Sequence, residues 1–247
     1  ITKKSFGETM REAYQYAHDI EQLAIKKKIE IFHPHQGNYY HVNDEKLITI
    51  LGPGKELYLS LIQASGKTPE MGKFESVSKS FGTTEKKIAY EDMSFETEHL
   101  SDMDSTTSAE NDMSLVLLLT VAGKKVLFTG DAGTQGLYKA ITYATANNIT
   151  LKDLDVFDVP HHGSRHNLSK GILKYIHAKY AIISCSKKGA PKHPSPIVTN
   201  SLIRRNIKPH WTKGGLLYYH AGSVPDRNYH TAVPIPFSNQ VEIPNEL

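Results

Sequence analysis

The sequence predicts a layered α/β domain, and three observations carry that prediction. In the second half of the chain, short apolar runs alternate with segments of helical periodicity, the pattern of a sheet covered by helices. Two of the runs, Ser114 to Val121 and Lys125 to Thr129, are joined at Ala122-Gly123-Lys124, a hairpin signal. Polar clusters fall just where predicted strands end: Thr129-Gly130-Asp131, His161-His162-Gly163-Ser164, and the loop from Lys187 to Pro194 that contains His193.

Taken in order, Met10, Ala13, Tyr14, Ala17, Ile20, Leu23 and Ala24 predict a helix from about residue 5 to 27. Strand-like runs follow at 29–32 and 46–51, the second closed by Gly52-Pro53-Gly54. Residues 66–112 are acidic and poor in periodic apolar positions, and are read as a long surface insertion in a single domain spanning 1–247. After the hairpin, Leu137, Ile141 and Ala144 share one face of a helix over about 134–148, and 154–159 is a strand. A second helix begins after Ser169 as N-cap, with Ile172, Leu173 and Ile176 facing the core. A strand at 180–184 leads to a third helix, opened by Ser195-Pro196, with Ile197, Val198, Leu202 and Ile203 inward. Strands at 208–211 and 216–220 precede an irregular tail.

Composition narrows the function. Apolar residues make up 39% and charged residues 22% of 247, values of a globular rather than a disordered chain. The longest apolar run, Leu115 to Val121, is far short of the roughly 20 residues of a membrane span. The single cysteine, Cys185, excludes an intramolecular disulfide and a Cys-x-x-Cys zinc site, and with no signal peptide visible the expected compartment is the cytoplasm. Thirteen histidines, about twice the usual frequency, direct attention to metal ligands and proton transfer. Charge is segregated: 160–215 holds 11 Lys or Arg and no acid, whereas 70–112 holds 11 acids against 4 basic residues. That pattern predicts a solvated acidic loop beside a surface that favours anions.

A carboxylate and imidazoles converging at strand ends are ligands for a borderline metal such as zinc or manganese. Each alone has a plainer reading, an Asp after Gly as a turn residue or a His-Pro as a loop shaper. Their joint placement at the ends of consecutive strands is what favours a metal site.

Asn111-Asp112-Met113-Ser114 followed by LVLLLTVAGKKVLFTGD, then DVFDVPHHGSRHN, then AIISCSKKGAPKHP, resembles the metallo-β-lactamase-fold hydrolases. The branch it resembles includes the hydrolase domain of the ComEC-like DNA-uptake proteins. The resemblance covers about residues 110–220, and residues 1–65 only in general layout. It implies a four-layer αββα sandwich, incomplete at its N-terminal half in these residues, with a binuclear metal site at one edge of two sheets. It makes Asp131 the ligand aspartate that commonly bridges two metals. His161 and His162 match the family's His-His pair as ligand or proton-transfer groups, and His193 lies where some branches place their last metal-binding histidine. Whether His162 or His193 fills that last role stays open. The family's His-x-His-x-Asp-His motif is absent; His33-Pro34-His35-Gln36-Gly37-Asn38 lacks its Asp and final His. Glu110 or Asn111 also stands where many members carry a histidine. The start at Ile1 leads to the expectation that the upstream half-sandwich belongs to the same polypeptide.

The leading expectation is a metal-dependent phosphodiesterase, a nuclease with two zinc or manganese ions and nucleic acid as substrate. Metal-bound water, with a pKa near ~7, would be the nucleophile. Ser164, Arg165, Lys187 and Lys188 are the expected substrate contacts. Lys170, Lys192, Arg204 and Arg205 are further cations for a phosphate backbone, with Tyr180, Trp211 or Tyr218 stacking bases. The alternatives are hydrolysis of a small ester, thioester or lactone, and a metal-free module that binds nucleic acid or a protein. The acidic insertion would serve as a lid or meet a protein partner, and no membrane is involved.

Overall fold

A computed structural model describes residues 6–42, 45–65, 86–102, 105–187, 193–225 and 227–244. The chain divides into two units, 1–34 and 35–247. The first is essentially one helix, α1 (Phe6–Lys26), as its apolar spacing predicts. The second runs β1 (Tyr39–Val42), β2 (Glu45–Gly52), α2 (Lys55–Ala64), β3 (Lys86–Tyr90), α3 (Ala109–Asp112), β4 (Val116–Val121), β5 (Lys124–Phe128) and α4 (Thr134–Ala146). It continues with β6 (Leu154–Asp158), α5 (Lys170–Leu173), β7 (Ala178–Ile183), α6 (Pro196–Arg204), β8 (Lys208–Trp211) and β9 (Gln240–Pro244).

Seven strands form one mixed sheet in the order β1-β2-β4-β5-β6-β7-β8. The β4–β5 hairpin sets the register, with Leu118 opposite Leu127 and Leu119 opposite Val126. From β5 onward pairing is parallel, each strand returning through a helix or turn. Leu154 to Phe157 of β6 are all buried, as expected of a strand inside a parallel sheet. Leu137, Ile141 and Ala144 of α4, and Ile197, Val198 and Leu202 of α6, enter the core as their spacing predicts.

The fold is therefore mixed α/β, with a seven-stranded sheet packed against helices. The expected four-layer sandwich is not shown, because β1 and β2 do not start a second large sheet. They pair antiparallel onto β4 and extend the same one. Among the described residues the other sheet is the two-stranded β3–β9 ribbon. On β4 and β5, Leu117, Leu119 and Val126 remain part-exposed and Phe128 is 40% exposed, so one face of the sheet is apolar and incompletely covered.

Several boundaries differ from expectation. Residues 29–32 and 216–220 are not strands, and α2 lies where no helix was predicted. Ser169 does cap α5, its Oγ accepting from Ile172 N–H, but that helix is only four residues long. No helix among the described residues is long and apolar enough to cross a membrane.

The N-terminus of α4 is capped from outside. Gly133 has no side chain to offer, and a Cβ there would meet Asp112 Oδ1 at 2.3 Å. Gly133 thus leaves room for the buried Asp112 carboxylate, whose Oδ1 accepts from Gly136 N–H at 3.0 Å and whose Oδ2 accepts from Thr107 Oγ1 at 3.1 Å. Asp112→Ala is expected to destabilise the protein by about 1–3 kcal/mol, since it orphans a buried helix N–H. A urea melt would show it; an unchanged midpoint would mean that water substitutes fully for the carboxylate.

Part of the charge segregation is built into the fold as ion pairs. Residues 66–85 of the predicted insertion lie outside the described residues, but its later part is built into the fold. Glu91 and Arg204 form a fully buried pair at 3.0 Å. Glu98 receives two bonds from Arg205 at 2.5 and 3.1 Å. Lys170 meets Asp102 at 3.3 Å, and Lys179 meets Asp155 at 2.8 Å. Arg204 and Arg205, expected to track a phosphate backbone, instead join the two oppositely charged stretches. Glu91, Glu98 and Asp102 of the acidic stretch thus meet Arg204, Arg205 and Lys170 of the basic one, whereas Asp155, the partner of Lys179, lies outside the acidic stretch.

Candidate active site at the carboxyl edge of the sheet

The parallel strands β5, β6 and β7 end on one edge, and the three predicted clusters follow them directly. Strand ends of this kind hold loops rigidly while leaving side chains accessible. Asp131 follows β5, His161 and His162 follow β6, and His193 lies in the segment after β7. The structure brings the histidines together: the His161 ring centroid is 5.8 Å from that of His162 and 5.9 Å from that of His193.

The backbone at the pair is unusual. His161 (φ 47°, ψ 51°) and His162 (φ 59°, ψ 23°) both occupy the left-handed region, which costs a non-glycine residue on the order of 1 kcal/mol or more. Surrounding bonds hold them there. His161 N–H donates to Gly130 C=O at 3.0 Å, linking the β6 turn to the β5 turn. Gly163 packs so closely on Pro194 that a Cβ would lie 2.7 Å from the proline Cβ, and Ser195 N–H donates to Gly163 C=O at 3.0 Å. That close approach carries His193 to the pair.

Hydrogen bonds at Nδ1 anchor both rings of the pair. His162 Nδ1 lies 2.7 Å from Ser184 C=O. A carbonyl only accepts, so His162 Nδ1 carries a proton. His161 Nδ1 contacts Asn167 Oδ1 and Asn111 Nδ2, each at 3.1 Å. Asn167 is oriented by its Nδ2, which donates to the Asp131 and Ala132 carbonyls at 3.0 and 3.2 Å, so its Oδ1 faces His161 as an acceptor. Asn111 Nδ2 is a donor and Asn167 Oδ1 an acceptor, so the two asparagines grip His161 Nδ1 from opposite hydrogen-bonding roles and fix the place of the ring rather than its tautomer. Burial, and then the neighbouring imidazoles of His161, His162 and His166, lower the pKa of His193 below the usual histidine value, keeping it neutral. Its buried Nδ1 has no hydrogen-bond partner among the described residues.

One functional candidate was not singled out from sequence. Asp158, the last residue of β6, has its pKa pushed up to about 6. Burial is the main cause and the Asp131 charge adds to it, against the backbone N–H groups of Thr129 and Gly130 and the His162 charge. A carboxylate that exchanges its proton near neutrality, within electrostatic reach of the His162 imidazole, is equipped for acid–base chemistry. The available signal was an acid ending an otherwise apolar strand two residues before Pro160-His161-His162. Asn111 and Asn167, inside the quoted motifs, were likewise passed over as positioning residues.

The expected substrate contacts are not gathered in the same way. Ser164 is buried, and its Oγ accepts from His166 N–H at 3.3 Å, a turn-forming bond. Arg165 is part-buried, with Nη1 donating to Glu242 C=O at 3.3 Å. Lys187 is exposed after β7, and Lys188 and Lys192 lie outside the described residues. His35 opens a turn, its N–H donating to Asn38 Oδ1 at 2.8 Å.

The fit to a metal is partial. The Nδ1-anchored histidines, the neutral His193 with its orphaned nitrogen, and Asp131 are the donor types zinc prefers. Among the described residues, however, no group of three or more His, Cys, Asp or Glu is positioned to hold an ion. The cluster as arranged is not a complete cage for one metal, still less for two.

Fold and site together define a mixed α/β domain with a histidine–aspartate cluster at the carboxyl edge of its parallel strands. The chain is 30% identical over 101 residues to ComE operon protein 3 of Bacillus subtilis (strain 168), a stretch covering 41% of this chain and 12% of that protein. A ComEC-like region is thus present by distant, partial homology, and the chain spans only a small part of the relative's length. No family model and no solved structure matches the chain.

Proposed function

We propose that this region contributes to a hydrolase site acting on the phosphodiester backbone of nucleic acid, in a metallo-β-lactamase-like arrangement. The observation that carries the reading is the convergence of Asp131, Asp158, His161, His162 and His193 on one sheet edge. The ComEC-like similarity supports the same reading, as does the part-exposed apolar face of Leu117, Leu119, Val126 and Phe128, against which a second sheet would pack. In this reading His161 and His162 act as ligand or proton-transfer groups, His162 anchored through its Nδ1 proton on Ser184 C=O, while Asp158 exchanges a proton near neutral pH. Lys187 is the remaining exposed candidate for a phosphate contact. Two divalent ions, zinc or manganese, are the proposed cofactors, and ligands beyond this cluster would be required to complete their coordination.

The incomplete ligand group favours one competing reading, a metal-free module that binds nucleic acid or a protein. Elemental mass spectrometry and a nuclease assay, run on the wild type and on Asp131→Ala, separate the two. The hydrolase reading expects about two zinc or manganese ions per chain, cleavage of DNA or RNA, and loss of both in the variant. No bound metal after incubation with either ion, together with nucleic-acid affinity unchanged by Asp131→Ala, leaves the binding module.

A further inference from the structure

Beside this edge the structure holds a cavity of about 290 Å³ that none of the chemistry above uses. Its floor is the β7–β8 surface, and residues 216–220 and 229–232 line the other side. Register places it next to the candidate site. Asp158 pairs with Ile182, and Ile182 pairs with His210, so all three lie in one row across β6, β7 and β8. Adjacent strands are roughly 4.8 Å apart, which puts the cavity floor one strand from Asp158.

The lining is aromatic and contains no carboxylate. Tyr180 lies between His210 and Tyr219, with ring centroids 5.9 and 6.0 Å away. Tyr218 and Tyr229 form a second wall, stacked at 4.4 Å and 12°. Tyr218 and Tyr229 stack on one another through one face each and are more than half exposed, which leaves the outer faces of the pair open to a ligand. His210 Nδ1 is buried and has no hydrogen-bond partner among the described residues, a polar group whose desolvation nothing there offsets. The volume is at the small end of the range for ligand pockets, roughly 300–1,000 Å³, and suits a single ring system.

We infer that this cavity receives one nucleobase of a single strand whose backbone runs past the Asp131–His161–His162 cluster. The inference rests on the nucleic-acid reading above and deepens it. A π-face on every base explains an aromatic-rich lining without a set of sequence-reading groups. Row adjacency to Asp158 keeps the base and the neighbouring phosphate within one nucleotide of each other.

Fluorescence anisotropy with a labelled single-stranded DNA decamer, and with a decamer of the same backbone carrying no bases, tests it. The base-bearing strand is expected to bind about tenfold more tightly to the wild type. Tyr180→Ala and, separately, the surface variant Tyr218→Ala are expected to remove most of that difference while leaving affinity for the abasic strand unchanged. Circular dichroism melts of both variants exclude unfolding as the cause. Equal binding of the two strands by wild type overturns the base pocket and leaves the nucleic-acid reading standing. A tenfold preference that survives in both variants, with both folded, also overturns it, because the base is then held elsewhere. Binding of neither strand overturns the nucleic-acid reading and the pocket with it.

Discussion

Replacing Arg204 by Ala is expected to destabilise the protein by about 3–5 kcal/mol, the cost of leaving a buried carboxylate without its counter-charge. Glu91 and Arg204 have no exposed side-chain surface. Glu91 also accepts from Asn200 Nδ2 at 2.7 Å and from His99 N–H at 2.9 Å, and Arg204 Nε donates to Ser94 C=O at 2.9 Å. The pair thus ties the segment after β3 to α6. Such a loss is a large share of the roughly 5–15 kcal/mol that holds a domain folded. Urea unfolding reads it directly, and the melting temperature should fall by about 10 °C. Replacing both partners with Met should recover much of the stability, because no buried charge remains. A loss below about 1 kcal/mol in Arg204→Ala would show that water reaches Glu91 and that the charged stretches are not joined through a dry contact.

Asp158→Asn is expected to act in the opposite direction on stability while impairing function. The unfolded pKa of this carboxyl is near 3.8, and the folded value is raised to about 6. Because the folded state disfavours the charged form, the wild type is at its best below the unfolded value. It loses stability as pH rises through about 6. Converted at ~1.4 kcal/mol per unit, the loss amounts to about 2–3 kcal/mol. Asn carries no charge, so the variant should be more stable than wild type by about that amount at pH 7.5, and the two should converge below about pH 4. Unfolding in chelator across this range checks the sign, and parallel pH profiles would contradict it. If hydrolysis is observed, the variant should also lose the activity limb near pH 6, as expected of a carboxylate kept strained for its chemistry.

Local signals account for much of what was legible in advance. The hairpin around Ala122-Gly123, the inward faces of α4 and α6, and the Ser169 cap were readable because each depends on residues within a few positions of one another. The His161-His162 pair, Asp131 and His193 were legible as candidates for the same reason: each follows a recognisable strand. The β3–β9 pairing was not, since it joins Lys86–Tyr90 to residues 150 or more positions away, Gln240–Pro244, with no local mark of the partner. Asp158 was hidden because its raised pKa comes from burial and from Asp131 on a different turn. Arg204 and Arg205 misled for the converse reason: composition along the chain cannot tell a cation on a solvated surface from one half of an internal ion pair.

By itself, then, the sequence determined the alternation of strands and helices, the position of polar groups at strand ends, and a resemblance that named the candidate histidines. These are properties of short windows, where periodicity and turn chemistry act. Tertiary structure alone decided that β1 and β2 extend one sheet instead of starting another, and that Glu91 meets Arg204 in the interior. It also decided that Asp158, Ile182 and His210 share a row beneath an aromatic cavity. Those outcomes depend on strand register and burial, which are set only when distant segments exclude water from one another.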